Sequence, residues 1–227
     1  MSVIQIEVIF DFVCAWCYIG KRKLDQAIAL YQKTYPGGKN DVFSVTWRPY
    51  YLNYNPSSHS VDKSELAKTR LTDMSPERQA ALTKRMEQIG RSVGIAFRWG
   101  GQIGPDTRDA HRLVRLTRSK APEIQDALIE KLFGAYQELE KDISNKDILR
   151  QIAIDVGLDD ADVEQLLASS SGLDEVDEEE KKTRDLAAGS GVPTFIIQGI
   201  HKLDEAQDSS DFYEVFMKVK EVENETL

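Results

Sequence analysis

The chain has 227 residues, of which 41% are hydrophobic and 30% charged, a balance that suits one large folded domain or a domain with a sizeable insertion and excludes long disorder. Lys plus Arg total 29 against 38 Asp plus Glu, a formal net charge of −9 that offers phosphate backbones no general attraction, so no nucleic-acid partner is expected. No apolar run approaches the ~20 residues of a membrane span, and the first ten residues carry Glu7 with no basic leader or small-residue cleavage site, so the expected location is cytoplasmic, with no membrane partner.

Val3–Phe10 alternates Ile4, Ile6, Val8 and Phe10 with Gln5, Glu7 and Ile9, the pattern of a strand, and the extra apolar residues place it centrally. It runs into Asp11-Phe12-Val13-Cys14. Leu24, Ala27, Ile28 and Tyr31 then recur at helical spacing until Tyr35-Pro36-Gly37-Gly38 stops the helix. Residues 42–47 are β-branched and aromatic, a second strand, and a right-handed crossover makes the two strands parallel neighbours.

From 61 to 189 the periodicity is helical and no strand is expected. Helices are predicted over 76–93, 109–119, 122–139, 148–156, 159–169 and 174–188, with Ser144-Asn145-Lys146-Asp147 resembling a capping box. The acidic run 174–180 reads as a solvated helix face, and His111 as a structural histidine. Strands return at 192–197 and 200–203, joined at Gln198-Gly199 as an antiparallel hairpin, and Phe212, Val215, Phe216 and Val219 repeat as a last helix. The order is β-α-β, a helical block, then β-β-α. The fold class is α/β, with residues 1–60 and 190–227 forming one discontinuous domain around an all-helical insertion at 61–189.

Cys14 and Cys17 are the chain's two cysteines, spaced C-A-W-C. Two cysteines make no disulfide scaffold, and with three scattered histidines they make no zinc site, so no metal is expected. At a strand-to-helix junction the first cysteine meets unpaired backbone N–H groups and the positive end of the helix dipole, which favour a thiolate. Cys14 is therefore expected to be the exposed nucleophile, and Cys17 to be more buried and to resolve the mixed disulfide. Trp16 would present an apolar face to whatever docks. Two inert core thiols are the alternative. Pro193, after Gly189-Ser190-Gly191 and before an apolar run, reads as a cis turn or an ordinary loop proline. Asp11 is either a carboxylate that disfavours the neighbouring thiolate or a solvated turn residue.

The segment from Asp11 through Cys14-Ala15-Trp16-Cys17 to Gly20 resembles the active-site segment of the FrnE-like branch of the DsbA family, and Gly191-Val192-Pro193-Thr194-Phe195 is similar to that family's cis-proline loop. Trp47-Arg48-Pro49 with Leu52-Asn53, Asp106-Thr107 with Ala110-His111-Arg112, and Ala206-Gln207 extend the resemblance over nearly the whole chain. It implies a thioredoxin-like fold with a large helical insertion and a thiol-disulfide oxidoreductase activity. Within it Cys14 is the nucleophile, Cys17 the resolver and Pro193 the cis residue, and the Val192 backbone pairs with a bound peptide or thiol. Asn53 matches a glutathione-binding position in the related kappa-class glutathione transferases and 2-hydroxychromene-2-carboxylate isomerases. Ala15 departs from the proline usual in relatives, which bears on redox potential, and Glu205 stands where relatives often have glycine.

The expected substrates are disulfide- or thiol-containing proteins or small molecules. No cofactor is required, glutathione is a candidate co-substrate, and the chain is a monomer or homodimer. In a reducing cytosol the pair rests as a dithiol, which favours reductase or isomerase work. The alternative is a glutathione-dependent transferase or isomerase acting on a small molecule, in which an external thiol does the chemistry.

Overall fold

The computed structural model describes residues 2–52 and 57–225 and divides into two compact units, 1–50 with 182–227, and 51–181. The first unit is built on β1 (Val3–Phe10) and β2 (Val42–Pro49), parallel and in register from Val3↔Val42 to Phe10↔Pro49. They are joined by α1 (Ala15–Thr34), which ends at Tyr35 before a short 3-10 turn, Gly38–Asn40.

The second unit opens with a two-residue pairing that the helical periodicity hides: β3 (Val61–Asp62) is antiparallel to β4 (Gln102–Ile103). Between them lie α2 (Lys63–Arg70), a helix the sequence reading lacks, and α3 (Pro76–Ser92). Side-chain caps start both: Asp62 accepts from the N–H groups of Ser64 and Glu65, and Ser75 from that of Arg78. Then come α4 (Arg108–Leu116), α5 (Pro122–Gln137), α6 (Lys146–Asp155) and α7 (Asp160–Ala168). Asn145, the second residue of the expected capping box, is the N-cap of α6.

These helices bury Leu113, Val114, Leu128, Leu132, Phe133, Leu149, Val163 and Leu167 against one another. Arg112, 3% exposed, closes the end of α7 by donating to the carbonyls of Leu166, Ser169 and Ser171 while pairing with Asp109. α8 (Leu173–Leu186) follows. Its acidic run is not simply solvated. Asp177 accepts from the Tyr51 hydroxyl at 2.8 Å and pairs with Arg108, Glu179 pairs with Arg118 at 2.7 Å, and Glu180 is buried. The correction has a plain cause: α4 and the turn after it carry arginines at matching positions.

The chain re-enters the first unit through β5 (Thr194–Ile197), β6 (His201–Asp204) and α9 (Ser209–Glu225). β5 pairs antiparallel with β1 and with β6, giving the order β2-β1-β5-β6. The three-residue hairpin loop 198–200 turns on Gln198 and Gly199, both at positive φ (52° and 71°), with the Ile200 N–H donating to Ile197 O. α1 packs with α9, where Tyr31, Phe216 and Phe43 meet edge to face. At the carboxyl end of β1, Phe10 meets Phe12 and Trp47 with ring centres 4.9 Å apart. That packing fixes the strand end from which the 11–14 turn departs.

Candidate active site

The two cysteines sit where β1 hands over to α1. The Cys14 N–H donates to Asp11 O at 3.1 Å, a tight turn that sets Cys14 as the N-cap of α1 (φ −84°, ψ 111°). The Cys17 N–H returns to Cys14 O at 3.1 Å, so the second cysteine lies one turn along the same face. The Cys14 side chain makes no capping hydrogen bond, and the first turn of α1 carries no acidic residue, which leaves the sulfur in the positive field of the helix start. Both cysteines are free thiols.

The β5 side closes the site. The Val192–Pro193 peptide is cis, and the Cys14 thiol donates to Val192 O at 3.6 Å. The loop that presents this carbonyl is tied down. The Gly191 N–H donates to Ala187 O, Thr194 Oγ1 donates to Gly191 O at 2.8 Å, and the Glu205 N–H donates to Pro193 O at 3.0 Å. Gly191 sits at φ 76°, a conformation that side chains other than glycine rarely adopt.

Helix and loop approach closely at Gly20. A Cβ there would stand 2.9 Å from Phe195 Cζ and 3.2 Å from Pro193 Cγ. Glycine at this position lets α1 and the Pro193 loop touch, and so places Val192 O against Cys14. A glycine inside a helical run was the only signal for this in the sequence, since its partners lie on the far side of the helical block.

Exposure differs from expectation. Cys14 is only 5% exposed, with its sulfur against the Val192 carbonyl, and Cys17 is 1% exposed. Trp16, at 38%, carries the exposed apolar surface of the motif. Burial, reinforced by the hydrogen bond to Cys14 and by its charge, pushes the Cys17 thiol well above its ordinary range; a backbone hydrogen bond from Asp11 opposes this, and the Asp11 charge adds to it. Asp11 is buried at 1%, so it is not a solvated turn residue. Asn53 lies outside the described residues. His111 sits buried in α4 of the second unit, its ring centre 5.9 Å from that of Tyr51.

At the β2 side of the same strand ends, the Tyr50 N–H donates to Phe10 O at 3.0 Å, and Thr183 Oγ1 donates to Pro49 O at 2.6 Å. The Arg184 guanidinium lies 4.6 Å from the Tyr50 ring centre. Nothing in the sequence links these residues, which stand far apart along it. Among the described residues no group of three His, Cys, Asp or Glu side chains could hold a metal ion, and no helix is long and apolar enough to cross a membrane.

Comparison with known proteins agrees with the fold. The model of the DSBA-like thioredoxin domain matches residues 5–216. Protein YwbO of Bacillus subtilis (strain 168) is 23% identical over 194 residues, covering 86% of each chain. Among solved structures, the probable DsbA oxidoreductase SCO1869 from Streptomyces coelicolor superposes with a TM-score of 0.79 at 23% identity, over 95% of this chain and 89% of that one. A 2-hydroxychromene-2-carboxylate isomerase superposes at 0.63 with 13% identity, over 98% and 97% of the two chains.

Proposed function

Because the chain belongs to the DSBA-like thioredoxin domain family, we propose that it is a thiol-disulfide oxidoreductase in which Cys14 attacks and Cys17 resolves. The observation that carries this is the Cys14 thiol at the start of α1, beside Cys17 and 3.6 Å from the Val192 carbonyl. The Cys14 thiolate attacks one sulfur of a disulfide R–S–S–R, forming Cys14–S–S–R and expelling a thiolate that takes up a proton. Cys17 then gives up its proton and attacks the Cys14 sulfur. The Cys14–Cys17 disulfide forms and the second thiol leaves, so the protein loses two electrons and the substrate gains them. Burial and the neighbouring Cys14 sulfur favour the protonated Cys17 thiol in the dithiol form. Trp16 offers the substrate an apolar surface, and the Val192 backbone offers it a strand-like partner.

In a reducing cytoplasm the pair rests as a dithiol, so the reaction runs as disulfide reduction or isomerisation. The test is an equilibrium titration of the Cys14–Cys17 pair in glutathione redox buffers, followed by mass, with insulin reduction assayed in parallel. We expect a single two-electron transition and insulin reduction that the Cys14→Ser, Cys17→Ser double variant lacks. The alternative, glutathione-dependent isomerisation of a small molecule, needs neither cysteine. Isomerase activity retained in the double variant, without insulin reduction in the native protein, would favour it.

A further inference from the structure

We propose that the second unit holds a binding site for a small phosphate monoester, in a cavity between the end of α4 and the start of α8, with Arg115 as its principal cation. The site stands apart from the cysteine pair and does not depend on the thiol-disulfide reading. Its first sign is in the spacing of charge. Arg112, Arg115 and Arg118 recur at every third residue, so they share one side of α4 and of the 3-10 turn 117–119 that continues it. Like charges at this spacing repel, so each needs an anion. Asp109 answers Arg112, and Glu179 answers Arg118. Arg115 has only Glu175, 3.9 Å away and beyond hydrogen-bond reach, and its guanidinium donates no hydrogen bond among the described residues.

The three arginines line a cavity of about 430 Å³, within the range of roughly 300–1,000 Å³ usual for small-molecule sites. Arg112, 3% exposed, donates to the carbonyls of Leu166, Ser169 and Ser171 and so ties the turn 166–171 to α4. A wall already fixed in this way spares a ligand the cost of ordering it. Arg115 reaches along that wall to the start of α8, where a Cβ on Gly172 would stand 3.9 Å from its Nη1. Gly172, at φ 78°, keeps the approach free of a side chain.

The lining selects the class of ligand. A phosphate monoester carries about −1.5 to −2 at pH 7 and has three strong acceptor oxygens. A guanidinium fork takes two of them and leaves the third for a hydroxyl, and Ser119 and Ser171 place hydroxyls beside the arginines. A carboxylate is filled by the fork alone. Leu116 and Leu166 give the organic part an apolar stretch of wall. Glu175 is the competitor: an exposed ion pair of this length is weakly held, and an incoming dianion displaces it from Arg115.

The experiment is an NMR titration of the isotope-labelled full-length protein, kept reduced, with phenyl phosphate, inorganic phosphate and benzoate. It is run on native protein, Arg115→Gln and Glu175→Gln. We expect saturable shifts at the Arg115 Nε–H and the Gly172 amide with phenyl phosphate, and binding at least about threefold weaker for inorganic phosphate and for benzoate. Arg115→Gln should weaken phenyl phosphate binding at least about tenfold, as loss of a charge-assisted contact does. Glu175→Gln removes the competing carboxylate and should tighten it about threefold. The Arg115 and Glu175 side chains are 40% and 53% exposed, so both variants should keep the native amide spectrum elsewhere. No saturable shift at these groups at millimolar phenyl phosphate, or a Kd that neither substitution moves, would overturn the site. Benzoate or inorganic phosphate binding as tightly as phenyl phosphate would overturn the assignment to a phosphate monoester.

Discussion

Two thiols on one helix face are given different chemistry by one turn of separation. Cys14 is the N-cap of α1, whereas Cys17 lies inside the first turn, where burial and the neighbouring sulfur raise its pKa. At pH 7 iodoacetamide should modify Cys14 first and Cys17 at least about tenfold more slowly, read by peptide mass spectrometry. Equal rates would contradict the division of roles. Asp41 shows the same logic in a structural role. Burial works against its charge, but the Ser2 N–H at 2.8 Å, the Tyr31 hydroxyl at 3.0 Å and Lys220 at 3.6 Å outweigh that cost and lower its pKa. A lowered carboxylate stabilises the fold above its unfolded value near ~3.9, and that stability is lost as pH falls through the lower folded value. Asp41→Asn should therefore cost about 1–2 kcal/mol at pH 7 in urea unfolding, and the gap to native protein should narrow below pH 4. A gap independent of pH would mean the charge contributes nothing.

At the scale of elements, the site depends on how closely α1 approaches the loop before β5. Gly20→Ala removes a glycine from a helix, a gain of up to about 1 kcal/mol, and forces a methyl against Phe195 and Pro193, an overpacking cost of about 1–3 kcal/mol. We expect modest net destabilisation, with disulfide-exchange rate falling at least about tenfold because Val192 O shifts from Cys14. A faster or unchanged rate in a folded variant would show that the approach does not matter to the chemistry. The sequence made much of this scale legible. Period-two and helical patterns marked β1, α1, β2 and the later helices because each buries one continuous apolar face. α2 escaped notice because Lys63, Ser64, Glu65, Lys68 and Thr69 leave it only Leu66 and Ala67 as apolar residues, and its start is set by the Asp62 cap. The β3–β4 pairing is two residues long and joins distant positions, so no alternation could announce it.

For the whole molecule, C-x-x-C after the first strand and a proline before the fifth carried the resemblance to the family whose model matches residues 5–216. Each has a local sequence signature and a reason for it. What the sequence did not carry is what the fold brings together across the chain: the Val192 carbonyl that covers Cys14, the ring contacts behind Gly20, and Arg184 over Tyr50. The same long-range closure brings the Val192 carbonyl to 3.6 Å from the Cys14 sulfur, where Cys14 is 5% exposed. The central claim is the order of attack, and the most direct measurement is trapping. Cys17→Ser and Cys14→Ser variants are expressed in cells, quenched in acid, and their disulfide adducts quantified by non-reducing mass spectrometry. The account predicts reducible adducts on Cys14 in the Cys17→Ser variant and at least about tenfold fewer in Cys14→Ser, since Cys17 is shielded within the helix. Equal trapping by both variants, or none by either, would contradict it.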